Sequence, residues 1–170
     1  TPLATFQNAV VNALTSLAAG NRKGAVANIP DIVDLPYFSA IPYDALVLTQ
    51  EQANTLNLLY ASNVPAIHFV AGRNAMVISD TLTLPSMKRQ LNSDELVLLS
   101  VPFDSIYCAG WGSNTQKPLG NRFVLTTNEI NTIRQAINSY NSFLKTKAAE
   151  NNLAYVEEYL RTPLPDLHVQ

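Results

Sequence analysis

The sequence predicts an α/β domain built as a three-layer core, and three observations carry that prediction. An apolar run, Gly24 to Ile29, stops abruptly at Pro30. A second run of strand character covers 153–157, Leu-Ala-Tyr-Val-Glu. Between them lies the strongest amphipathic helix of the chain, 127–150, which has the length and position of a crossover connecting parallel strands. Only that helix is needed to link the two strands. Residues 31–125 therefore read as a cap-like insertion leaving the C-terminal end of the first strand, the end where open α/β sheets bind ligands. The whole of 1–170 is expected to be a single domain carrying this insertion.

Taken in order, Thr1-Pro2 reads as a helix cap followed by proline at the first helical position. Leu3, Phe6, Val10, Leu14 and Leu17 then recur at helical spacing up to Gly20. A helix followed by a strand is half of a βαβ unit, so a further strand is expected ahead of Thr1 and the core is expected to be incomplete. After the loop rich in Pro and Asp, Thr49 and Gln52 form a capping-box pattern before the stripe Ala53, Leu56, Leu59 and Tyr60. Residues 64–79 predict a hairpin, with Ile67, Phe69, Met76 and Ile78 alternating about Gly72-Arg73-Asn74. Asn92 and Glu95 fit a helix start, but 96–101 is equally compatible with a strand. Residues 103–120, broken by Gly110, Gly112, Pro118 and Gly120, read as irregular. Thr126 and Glu129 form a second capping box, opening the stripe Ile130, Ile133, Ile137, Tyr140 and Leu144.

Composition excludes several classes of function. With 47% hydrophobic and 14% charged residues, the 170-residue chain is globular rather than disordered. A net charge of −2, with basic residues scattered, argues against a nucleic-acid partner. No apolar run is long enough for a membrane span, and the sequence opening at Thr1 starts directly in amphipathic pattern, so no signal peptide is expected within it. The single cysteine, Cys108, excludes an internal disulfide and reads as a small buried hydrophobe. His68 and His168 have no His or Cys neighbours at ligand spacing, so no metal is expected. No P-loop, dinucleotide fingerprint or Gly-x-Ser-x-Gly elbow occurs, and no cofactor is expected.

Three strings imitate hydrolase chemistry. Phe103-Asp104-Ser105-Ile106 resembles a Gly-Asp-Ser-Leu nucleophile block, except that Phe replaces the glycine needed for a tight turn. Gly72-Arg73-Asn74-Ala75 resembles an oxyanion block but sits on the expected hairpin turn. Asp166-Leu167-His168 resembles an Asp-x-x-His pair with one residue too few, leaving Asp166 and His168 as weak catalytic candidates. A remoter arrangement pairs Ser105 or Cys108 with His168.

The ordered set GAVANIPDI, LPYFSAIPY, TLNLLY, FVAGRNAMVISD, DELVLLSVPFDS, GWGS, RFVLTTNEI and LAYVEE resembles the later half of an SGNH (GDSL-type) hydrolase, in its lipase/esterase-like branch common in Bacteroidetes. The resemblance covers roughly residues 1–158. It implies a flavodoxin-like α/β/α core and ester hydrolysis by a Ser-His-Asp triad on an ester or lipid-like small molecule. The family's serine and its oxyanion glycine and asparagine would all precede Thr1. It also implies a secreted, periplasmic or outer-membrane-anchored lipoprotein. Pro36, Tyr37, Phe38, Tyr43 and Trp111 are then expected near the acyl pocket, or else packing the insertion. The alternative is a non-catalytic binding domain of the same ancestry. An incomplete sheet also predicts a dimer, or other association through an exposed edge.

Overall fold

A computed structural model describes residues 1–62, 64–82 and 86–157. The chain is mixed α/β, with α1 (Leu3–Leu17), β1 (Ala25–Ala27), α2 (Pro36–Ser39), β2 (Leu46–Leu48) and α3 (Gln50–Ala61) in its first part. There follow β3 (Gly72–Asn74), β4 (Val77–Ser79), β5 (Lys88–Gln90), β6 (Leu96–Val97), α4 (Phe103–Tyr107), β7 (Val124–Leu125), α5 (Thr127–Glu150) and β8 (Ala154–Val156). Two compact units result: Pro36–Ile130, and the two flanking segments together.

In the unit formed by the flanking segments, β1 and β8 pair in parallel, with Val26 opposite Tyr155. These are the two strands the sequence singles out, shortened to three residues each. Leu14, Val33, Ile137, Leu144 and Ala148 are the buried apolar side chains among its described residues. Phe6 of α1 lies against Tyr140 of α5, ring centroids 4.3 Å apart. The expected cap is shifted: Pro2, not Thr1, is the N-cap of α1, and no side chain caps it. Apolar runs such as 24–29 and 153–157 ordinarily mark strands covered on both faces, but this pair is not. Val26 and Tyr155 are half-buried, whereas Ala25, Ala27, Ala154 and Val156 are exposed. Parallel sheets are ordinarily covered on both faces. Here one face of the pair lies open.

The second unit is built from paired short strands. β2 pairs with β3, β4 with β5 and β6 with β7, all antiparallel. Among the described residues no sheet exceeds two strands. The hairpin expected over 64–79 is absent. Gly72–Asn74 is itself a strand paired with β2, while β4 pairs onward with β5. Alternation along a stretch reports which side chains are buried, not which strand is the partner, and Ile67, Phe69, Met76 and Ile78 are indeed buried. Residues 96 and 97 resolve as strand β6 rather than helix. Part of the supposedly irregular stretch is the short helix α4. Both capping boxes form: Thr49 with Gln52, and Thr126 with Glu129.

Two clusters make the core of this unit. Met76, Ile78, Leu91, Val97, Val101, Leu119 and Phe123 form the larger. Ala53, Tyr60, Ile67, Phe69 and Val77 form the other. Gly112, at φ +80°, donates its N–H to Lys117 O and accepts from Val77 N at 2.7 Å. A Cβ there would stand 3.0 Å from that of Met76, so only glycine fits both the turn and the approach.

Arg89 of β5 holds the polar frame together. Its Nη1 and Nη2 donate to the two carboxylate oxygens of Glu95, each at 2.6 Å, and its Nε donates to Asp80 at 2.6 Å. Glu95 is buried, and its Oε2 also accepts from the Asn92 N–H. Removing the cation would strand a buried carboxylate. Arg89→Met is expected to cost about 3–5 kcal/mol in urea unfolding, and Arg89→Met with Glu95→Leu to recover much of that loss.

Candidate functional site

The C-terminal end of β1 is the position from which a site was expected, and polar contacts hold the chain there. Asn141 of α5 forms a reciprocal amide pair with Ile29, its Oδ1 accepting from Ile29 N at 2.7 Å and its Nδ2 donating to Ile29 O at 2.8 Å. Asp31 then caps the 3-10 turn Ile32–Asp34 by accepting from Val33 N, and its other oxygen accepts from Arg134 Nε at 2.7 Å. Asn28 N donates to Val156 O, extending the parallel ladder by one bond. These contacts fix the direction of the exit loop. They assemble no nucleophile.

The five expected pocket residues divide into two groups. Pro36, Tyr37 and Phe38 lie together on α2, with the Tyr37 and Phe38 rings edge to face at 5.0 Å. Tyr37 is exposed and its carbonyl accepts from Leu99 N. Tyr43 and Trp111 instead pack against the larger core cluster, Trp111 with its ring 5.8 Å from Phe123. Trp111 N also donates to Ser105 O. The contacts of Tyr43 and Trp111 are those of side chains anchoring loops to a core.

Ser105 lies on α4, not on a turn after a strand, and its N–H donates to Pro102 O. Cys108 is exposed, correcting the expectation of a buried thiol; the helix ends at Tyr107 and turns its C-cap residue outward. Asn74 is buried, and its Nδ2 already donates to Val70 O and Gly72 O. An amide so committed does not serve as an oxyanion donor. His68 is exposed and held through its backbone by the Gln90 side chain. Asp166 and His168 lie outside the described residues. Among those described, no cluster of three or more His, Cys, Asp or Glu is arranged to hold a metal.

Sequence reasoning missed two hollows in the Pro36–Ile130 unit. One, of about 290 Å³, is lined by Tyr60, Val64, Ser86, Lys88, Thr115 and Gln116. The other, of about 370 Å³, runs beside α3 and is lined by Leu48, Glu51, Gln52, Thr55, Leu56 and Ser113. None of the five expected residues lines either. Their walls come from segments far apart in sequence, so no local motif announces them. Ion pairs elsewhere are structural: Arg73 grips Asp44 with two bonds, at 2.7 and 2.9 Å, holding that carboxyl below its ordinary range.

Comparison with models of protein families, with curated proteins and with solved structures gives no match.

Tyr60 is fully buried and its hydroxyl donates to Ser113 O at 3.1 Å. Burial pushes the phenol up to about 12, because the phenolate would lose its hydration. An unfolded tyrosine ionises near pH 10. Its contribution to stability is therefore complete below about pH 10 and lost as pH rises towards 12. Wild type is expected to lose stability over that interval in alkaline unfolding curves. Tyr60→Phe should lose less there, and its phenolate absorbance should lack a component titrating near 12.

Proposed function

We infer that these residues are part of a serine ester hydrolase of the SGNH type. They would supply a scaffold strand pair, the crossover helix and the inserted unit Pro36–Ile130, with the nucleophile and oxyanion blocks on other segments of polypeptide. What supports this reading is the ordered resemblance from GAVANIPDI to LAYVEE. The parallel β1–β8 pair followed through α5 is compatible with an α/β/α core of that kind. In such an enzyme the serine attacks the ester carbonyl, a histidine takes and returns its proton, and amide donors hold the oxyanion. An ester or lipid-like substrate and an extracytoplasmic location go with the same reading.

The chemistry among the described residues agrees with a scaffold role. His68 is the only histidine there, and no hydrogen bond links its imidazole to Ser105 or to a carboxylate. The open Ala25, Ala27, Ala154 and Val156 face favours a second reading, a non-catalytic interaction domain that uses the open face or sheet edge.

Labelling with a serine-directed phosphonate separates the two. In the full-length gene product, the label is expected on a serine outside these 170 residues, with hydrolysis of p-nitrophenyl butyrate. The 170-residue chain alone is expected to match the buffer rate. Labelling of Ser105, with turnover abolished by Ser105→Ala, would overturn the assignment. A full-length product that neither labels nor hydrolyses would favour the interaction domain.

A further inference from the structure

The 290 Å³ cavity in the Pro36–Ile130 unit is lined by one charged group, the ammonium of Lys88. Lys88 is half-buried on β5, and its Nζ donates to the carbonyl of Thr115 at 2.7 Å. No carboxylate pairs with it among the described residues, whereas its β5 neighbour Arg89 is answered by both Asp80 and Glu95. An ammonium has three donors, so two remain for something else. A partly desolvated cation whose sole partner is a neutral carbonyl is electrostatically incomplete.

The rest of the lining is suited to a small amphiphile. The Thr115 hydroxyl and the Gln116 side-chain amide make no hydrogen bond to protein among the described residues, so both can serve a ligand. Ser86 is committed, its hydroxyl donating to Lys88 O at 3.1 Å. Val64 and the ring of Tyr60 are buried and supply an apolar wall. The Tyr60 hydroxyl is spent on Ser113 O, and the Tyr60 carbonyl accepts from Val64 N at 2.8 Å. The last turn of α3 therefore presents that carbonyl already satisfied.

We propose that this cavity binds a small organic carboxylate, its charge on Lys88 and its short apolar tail against Val64 and Tyr60. One positive charge matches one carboxylate. A phosphate group carries between one and two negative charges at neutral pH and favours several cations or a helix N-terminus, neither of which lines this cavity. The volume lies at the lower end of the range for ligand sites, which suits a molecule of a few carbons. The proposal does not depend on whether the chain hydrolyses esters.

Amide shifts of the isotopically labelled chain would be followed during separate titrations with pentanoate, pentanamide and inorganic phosphate. Pentanoate is expected to give saturable shifts at Lys88, Thr115 and Gln116, with pentanamide and phosphate each at least tenfold weaker. Lys88→Gln is expected to weaken pentanoate at least tenfold, and Lys88→Arg to retain most of the affinity. An equal response to pentanamide would overturn the role of charge, and tighter binding of phosphate would overturn the ligand class. Absence of saturable shifts with pentanoate, or undiminished binding by Lys88→Gln, would overturn the site itself. If Lys88→Gln perturbs the fold, the three wild-type titrations decide the matter alone.

Discussion

The Pro36–Ile130 unit depends on one buried charge being answered. Glu95 sits in a turn whose carboxylate has almost no access to water, and a carboxylate there would be strongly unfavourable by itself. Arg89 meets it with two parallel hydrogen bonds and gives two further donors to Asp80 and to the Gln90 carbonyl. Those bonds tie the loop after β4, strand β5 and the turn before β6 into one geometry. Each of these elements is two or three residues long, and strands so short have little ladder to hold them in register. A charged, directional network supplies the register that length does not. The apolar clusters then fill the frame with Met76, Ile78, Leu91 and Val97.

The three longer helices, α1, α3 and α5, were legible because their signals are local, whereas the short α2 and α4 carried none. Thr49 with Gln52 and Thr126 with Glu129 carry their capping partners three residues away, and the stripes on α3 and α5 repeat within one element. Strand pairing is not local, and there the sequence misled. Ile67 to Ile78 alternates as a hairpin would, yet the residues bury into two different clusters and the pairing partners of β3 and β4 lie elsewhere. The exposure of Cys108 was hidden for a similar reason, since burial of a single small side chain depends on neighbours no periodicity describes. The Lys88 cavity joins α3, β5 and the turn near Thr115, so its lining has no sequence signature at all.

The two units also differ in how they satisfy their polar groups. In Pro36–Ile130 the ion pairs of Arg73 and Arg89 run between neighbouring short elements. In the unit of flanking segments, Asn141 and Arg134 reach from α5 to the chain just beyond β1. Those two side chains fix where the polypeptide leaves the strand, which is the one point a ligand site in a parallel sheet would use. The exposed alanines of β1 and β8 leave one face of the pair low, with Val156 the one larger side chain standing on it.

The pairing of Ile29 with Asn141 spans 112 residues of chain. During synthesis at about 5–20 residues per second, β1 would wait on the order of 10 s before α5 and β8 leave the ribosome. By the end of that wait the Pro36–Ile130 unit has all of its described strands available and can complete itself, while β1 still lacks β8, its partner among the described residues. The connectivity thus favours completion of the inserted unit before the parallel pair. The late-formed strand pair is where a folding chaperone would have the longest time to act.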